Sequence, residues 1–191
     1  MKTVFFDIDT QIDFLYPAGA LYVPGAERIL PAIAKLNHSA PLLVSTMCAH
    51  KENDPEFQQW PPHCIAGTTG QQKPQCTLRA SRVVIPNRPA DLKIEGAEQI
   101  ILEKQQLNLF TNPNLLRLLK LLAADEYVVY GVVTEYCVRH AALGLLETGK
   151  PVTLITGAIQ SLNEEEAERT FQAFASGGGR LATTSKLLPM R

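Results

Sequence analysis

Short runs of β-branched and aromatic residues alternate along this chain with segments of helical period, and that alternation most restricts how it can fold. TVFFDI at 3–8 precedes a helical pattern at 26–37; PLLVS follows at 41–45; YVVYGVV at 127–133 precedes a helical pattern at 135–148; and VTLI at 152–155 precedes another at 164–175. Strand, helix and strand in repetition predict a mostly parallel sheet with helices on both faces. Weaker strand candidates lie at 82–85, 99–102 and 180–183. Asn112 before Pro113 marks a helix start, Asn163 before three glutamates marks another, and the glycines at 177–179 stop that last helix. Residues 47–81, rich in Pro, Gln, Gly, His and Cys, have little period. That stretch is too long for an ordinary connection and is expected to carry function.

A chain of 191 residues is long enough to bury a two-faced core and too short for two ordinary domains, so one domain over 1–191 is expected. Its 18 basic and 19 acidic residues leave a net charge of -1, with no positive field to attract nucleic acid or an anionic membrane. The expected partner is a small molecule. The first residues, MKTVFFDIDT, are interrupted by Asp7 and Asp9, and no apolar run elsewhere approaches a membrane span, so a cytoplasmic protein is expected. Cys48, Cys64, Cys76 and Cys137 are too sparse for a disulfide framework and read as thiols open to catalysis or metal binding.

Ligands of a parallel α/β sheet bind at the carboxyl ends of its strands, so the residues that follow each apolar run are the informative ones. Asp9 follows VFFDI, Lys104 follows QIILE, and Cys137 lies just past YVVYGVV at the start of the next helix. Each has a plain structural reading, as a turn cap, a surface charge and a small buried hydrophobe. Together they make a nucleophile site. A helix N-terminus favours a thiolate at Cys137, Asp9 can take and return a proton, and Lys104 supplies the cation that lets carboxylate and thiolate coexist.

A second constellation, Cys48, His50, Glu56, His63 and Cys64, lies in the irregular segment. Cys48 and His50 alternate at a strand's end and would point the same way, and His63 could close a metal site with an open position. Ordinary polar loop residues are the competing reading, since no Cys-x-x-Cys pair is present. Phe14, Trp60 and Tyr136 are the nearby aromatics, either packing or forming a flat slot for a planar ring.

DIDTQIDF at 7–14, VPGA at 23–26, STMCAH at 45–50, WPPHCIAGTTG at 60–70, EK at 103–104 and GVVTEYCV at 131–138 resemble, in order and spacing, the isochorismatase-like cysteine hydrolases, with the nicotinamidase branch nearest. The resemblance implies a six-stranded parallel sheet with helices on both faces and places an Asp, Lys, Cys triad on Asp9, Lys104 and Cys137. It implies a cis peptide between Val132 and Val133 and an oxyanion hole from the backbone N–H groups of Val133 and Cys137. It places Phe14 and Trp60 along a ring pocket.

The resemblance further implies a divalent metal, commonly zinc, held by an Asp-x-His pair and the His of W-P-x-H-C. His50 and His63 match, but Cys48 stands at the Asp position and Glu56 where some members have a further His. The expected ligands are therefore Cys48, His50 and His63, with Glu56 as a possible fourth. Glu135 likewise stands where Asp is usual. Nicotinamide hydrolysis through a thioester is the implied activity and a homo-oligomer the implied assembly. Another amide or an N-carbamoyl substrate, or a non-catalytic metabolite-binding role on the same fold, are the alternatives.

Overall fold

The computed structural model describes residues 1–187, so the last part of the expected domain, 188–191, lies outside the described residues. Its strands are β1 (Thr3–Ile8), β2 (Leu43–Cys48), β3 (Arg82–Ile85), β4 (Gln99–Lys104), β5 (Glu126–Val132), β6 (Val152–Gln160) and β7 (Arg180–Ala182). Its α-helices are α1 (Ile12–Leu15), α2 (Leu30–Ser39), α3 (Leu115–Leu122), α4 (Arg139–Leu146), α5 (Glu164–Ser176) and α6 (Thr184–Leu187). The strands form one sheet in the order β3-β4-β2-β1-β5-β6-β7, every neighbouring pair parallel.

The sheet has seven strands, which corrects the six implied by the resemblance. The added edge is β7, whose three residues pair with Thr153, Leu154 and Ile155 of β6. β1 and β5 are buried almost without a break, as strands must be when helices cover both faces. On α3, Leu115, Leu118, Leu119 and Leu122 form the buried stripe that a 3.6-residue period places on one side.

Several helix starts differ from the sequence reading. The pattern at 26–37 opens as a 3₁₀ turn, Ala26–Ile29, before α2. The pattern at 135–148 opens as a π-turn, Thr134–Val138, before α4. The N-cap of α3 is Asn114, two residues after Asn112, whose Oδ1 accepts from Asn114 N at 2.8 Å while its Nδ2 donates to Glu103 O at 2.7 Å. Asn163 does cap α5, accepting from Glu165 N at 2.9 Å and Glu166 N at 3.1 Å.

The irregular stretch after β2 is fastened to the sheet by a buried polar cluster. Asp7, the penultimate residue of β1 and fully buried, accepts from Lys73 Nζ at 3.1 Å, Asn37 Nδ2 at 3.0 Å, Ser45 Oγ at 3.1 Å and Thr10 Oγ1 at 2.6 Å. A carboxylate at such a position is tolerable only because its lone pairs are filled and a cation faces it. Lys73 thereby ties the loop to β1. Among the described residues no helix is long and apolar enough to cross a membrane.

Candidate active site

The chain leaves β1 toward β2 on one side of the sheet and leaves β5 toward β6 on the other, so the crevice of the fold opens between β1 and β5. Asp9 lies just beyond β1, and Cys137 lies in the π-turn just beyond β5. Gly131 makes this approach possible, since a Cβ there would sit 2.1 Å from Ile8 O. Lys104 is the last residue of β4 and reaches the same point from beneath β2.

The three predicted side chains converge. Lys104 Nζ lies 2.8 Å from Asp9 Oδ2 and 3.5 Å from Cys137 Sγ, and it donates to Gln106 O at 3.0 Å. Asp9 and Lys104 are each 1% exposed and Cys137 is 7% exposed. Asp9 holds a left-handed backbone, φ 48°, a region Asp enters more readily than most residues. Thr46 Oγ1 donates to Asp9 Oδ1 at 2.6 Å and accepts from Asp9 N at 3.0 Å.

Burial disfavours charge on Asp9, but the Lys104 ammonium and hydrogen bonds from Lys104, Thr46 and Cys137 outweigh it and hold the carboxyl below its ordinary value. Burial equally disfavours the Lys104 ammonium, and the anionic surroundings led by Asp9 overcome this and raise Lys104 well above its ordinary value. For Cys137 burial wins: the thiol is pushed well up, with Lys104 opposing and Asp9 and Cys48 adding to the rise. The sequence reading expected a helix-terminal thiolate. The resting site holds instead a thiol between a carboxylate and an ammonium, because the cavity excludes the water that would solvate a thiolate.

Cys137 opens into a mostly apolar cleft whose lining includes Asp9, Phe14, Trp60, His63, Val133 and Tyr136. The Trp60 and Tyr136 rings meet edge to face, with centroids 5.3 Å apart. Leu21, Tyr22, Val23, Leu107 and Leu162 also line it. The sequence reading missed these, since nothing in their local pattern sets them apart from core residues. The Val132–Val133 peptide is cis, and Val133 O accepts from Tyr136 N and Val138 N, both at 3.1 Å. Val133 and Cys137 both line the cleft.

The candidate metal ligands separate into two groups. His50, Glu56 and His63 offer ligand atoms within 4.8 Å of one another. His50 is fully buried, and its Nε2 has no partner; its Nδ1 lies 3.1 Å from Asp54 Oδ2, close but off the line of a hydrogen bond. His63 Nδ1 lies 2.8 Å from Pro61 O, and burial lowers the pKa of this ring, which favours the neutral, ligating form. Two imidazoles and a carboxylate around an unpartnered buried nitrogen fit a zinc-type site with open positions.

Cys48, expected as a metal ligand, is not part of that cluster, which has Glu56 in its place. β2 ends at Cys48, and beyond it the backbone changes partner, from β4 (Ala49 N to Lys104 O, 2.9 Å) to the loop at Cys64 and Ile65, against which His50 is bridged. The Cys48 backbone is gripped by Gln11, which accepts from Cys48 N at 2.7 Å and donates to Cys48 O at 2.9 Å. The Cys48 thiol lies 3.3 Å from Lys104 Nζ, and burial, with Asp9 adding to it, pushes it up to about 12. Cys64 is buried away from the ligand atoms, with its N–H donated to Asp13 Oδ2 at 2.6 Å.

Gln11 and Asp13, both in the D-x-Q-x-D-F motif, are positioning residues that the sequence reading named only as motif letters. Gln11 Nε2 also donates to Gln71 O at 2.8 Å, and Asp13 Oδ1 accepts from Ala20 N at 3.0 Å. Gly70 lets the loop close over Asp13, because a Cβ there would lie 2.2 Å from its carboxylate. Glu135 ties the nucleophile turn to the start of α5, accepting from Leu162 N and Asn163 N at 2.8 Å each.

The chain is 24% identical to the nicotinamidase of Saccharomyces cerevisiae over 86% of this chain and 90% of that one, and 23% identical to the nicotinamidase of Acinetobacter baylyi over 95% and 92%. It superposes on the crystal structure of the pyrazinamidase of Pyrococcus horikoshii in complex with zinc with a TM-score of 0.77 and 27% identity, covering 96% of this chain and 99% of that one. The model of the isochorismatase domain matches residues 3–186, nearly the whole of the fold just described, and the chain therefore belongs to the isochorismatase domain family of hydrolases.

Proposed function

We propose that this protein is a cysteine amidohydrolase acting on a small carboxamide, with nicotinamide, converted to nicotinate and ammonia, as the favoured substrate. The observation that carries the reading is the single Lys104 ammonium set against both the Asp9 carboxylate and the Cys137 thiol at the floor of an apolar cleft. The nicotinamidases and the pyrazinamidase to which the chain is similar support the choice of substrate class.

In this mechanism the Cys137 proton passes to Asp9 as Sγ forms a bond to the amide carbon. The oxygen of that carbonyl becomes an oxyanion, which the backbone N–H groups of Val133 and Cys137 are assigned to bind. Asp9 returns the proton to the nitrogen, the C–N bond breaks, and ammonia leaves a thioester on Cys137. Asp9 then takes a proton from water, whose oxygen attacks the thioester carbon. The C–S bond breaks, the thiol is restored and the carboxylic acid departs. Lys104 stays protonated throughout and offsets whichever of the two neighbours is anionic.

Phe14, Trp60 and Tyr136 are assigned to flank a planar ring in the cleft. His50, Glu56 and His63 would hold a divalent metal such as zinc, and the chemistry it would supply there is ligation of a ring nitrogen. A second reading keeps the same residues but turns over a different amide or an N-carbamoyl compound. Cys48 and Glu56, which depart from the ligands the resemblance implies, favour it. Ammonia release from a panel of amides, with and without added zinc, tests both: nicotinamide should be the best substrate, and a preference for amides without a ring nitrogen would select the second reading. Undiminished release by Cys137→Ala would overturn both.

A further inference from the structure

We infer that Thr46 is a positioning residue for Asp9, and that its hydroxyl group, not its bulk, keeps one carboxylate oxygen available to the Cys137 thiol. The inference deepens the amidohydrolase proposal and rests on that reading. Thr46 is fully buried in β2, where its backbone is paired opposite Leu102 of β4. Its hydroxyl group carries a single hydrogen, and that hydrogen goes to Asp9 Oδ1 at 2.6 Å, while the oxygen accepts Asp9 N–H at 3.0 Å. One atom of Thr46 therefore grips both the carboxylate and the backbone of Asp9.

Both grips matter at this residue. The backbone of Asp9 is left-handed, φ 48°, and the bond from its N–H to Thr46 helps to hold it there. The carboxylate has two equivalent oxygens and a broad torsion, so nothing intrinsic decides which of them meets the thiol. With Oδ1 bound to Thr46, Oδ2 is the one left for Lys104, at 2.8 Å, and for the thiol that the same ammonium approaches at 3.5 Å. Without the hydroxyl group the carboxylate can turn both oxygens onto the ammonium, and the acceptor for the thiol proton is withdrawn.

The charged and titratable groups around Asp9 are Lys104 from β4, Cys48 from β2, Cys137 from the π-turn, Cys64 from the loop and, across the cleft, Glu56. None of these can replace Thr46 as a strong neutral donor to Oδ1: Lys104 is already committed to Oδ2, Glu56 is an acceptor when ionised, and the thiols of Cys48, Cys64 and Cys137 are only weak donors. Valine at 46 has nearly the same shape and suits a buried strand, whereas serine keeps the hydroxyl group and loses a methyl group.

The test compares Thr46→Val and Thr46→Ser in the full chain by a readout that needs no substrate, the rate of iodoacetamide labelling at Cys137 relative to exposed Cys76, followed by mass spectrometry across a range of pH. Thr46→Val should slow Cys137 labelling relative to Cys76 by about tenfold or more at neutral pH and move its pH dependence. It should also lower kcat for ammonia release by about ten- to a hundredfold with KM changed by less than about threefold. Thr46→Ser should stay within about threefold of the parent in both. Thermal melting checks folding, and Thr46→Ala gives the same readout if the valine variant does not fold. Parent-like Cys137 labelling and kcat in Thr46→Val, or equal impairment of the serine variant, would overturn the inference. Ammonia release that survives Cys137→Ala overturns the amidohydrolase reading instead, and the labelling result then stands separately.

Discussion

Lys104 Nζ stands 2.8 Å from Asp9 Oδ2 with both side chains withdrawn from water. Such a pair is costly to bury and costly to break, because the loss of either partner leaves an uncompensated charge in the interior. Its position under Cys137 gives that cost a use: the carboxylate stays ionised beside a thiol that could not lose its proton unaided.

Breaking the pair is therefore the most direct stability test. Lys104→Met should destabilise the fold by about 3–5 kcal/mol in chemical denaturation, because the Asp9 charge is stranded. Adding Asp9→Asn to that variant should recover part of the loss. Strictly additive losses in the double variant would show that the two groups do not act as a pair.

The nucleophile assignment is tested by Cys137→Ala. Its ammonia release should fall by at least about a thousandfold while its melting temperature stays near that of the parent, since a small buried thiol is exchanged for a methyl group. Retained turnover in that variant is the outcome that ends the mechanism.

The pH dependence has a definite sign. Asp9 is held below its ordinary value of 3.8, so the stability it contributes is fully present above that value and is lost as pH falls through the lower folded one. Lys104 is held above 10.5, so its contribution is present below 10.5 and is lost only as pH rises through the higher folded one. Melting temperature measured against pH should thus fall on the acid side below about 3.8. Asp9→Asn should flatten that slope, and an unchanged acid slope in Asp9→Asn would remove Asp9 as its source.

Metal analysis separates the two groups of candidate ligands. His63→Ala and Glu56→Ala should each lower the zinc retained after dialysis by about tenfold or more, whereas Cys48→Ala should leave it within about twofold. Loss of zinc in Cys48→Ala, with retention in Glu56→Ala, would restore the ligand set that strand alternation suggested.

How much of this was legible in advance depends on the range of the interaction involved. Period and punctuation are properties of neighbouring residues, and they yielded the parallel α/β order, the N-cap at Asn163 and the strand ends carrying Asp9, Lys104 and Cys137. The resemblance extended that to the cis peptide between Val132 and Val133 and to the three clustered candidate ligands, His50 and His63 from the quoted motifs and Glu56 as the possible fourth. Strand alternation did not show that the backbone changes partner after Cys48, so that His50 is bridged to Ile65 of the loop while the Cys48 thiol meets Lys104.

Sequence alone thus determined the class of fold and the strand ends at which chemistry could gather. Tertiary structure decided which side chains meet there: the Cys48 thiol on Lys104, Lys73 on Asp7, and Thr46 on Asp9. The physical reason is separation along the chain. Thr46 and Asp9 are 37 residues apart and Lys73 and Asp7 are 66 apart, so no local period couples them. Their partnerships follow from sheet order and from the requirement that every buried charge find a counter-charge and enough donors, which can be satisfied only once the strands have been assembled.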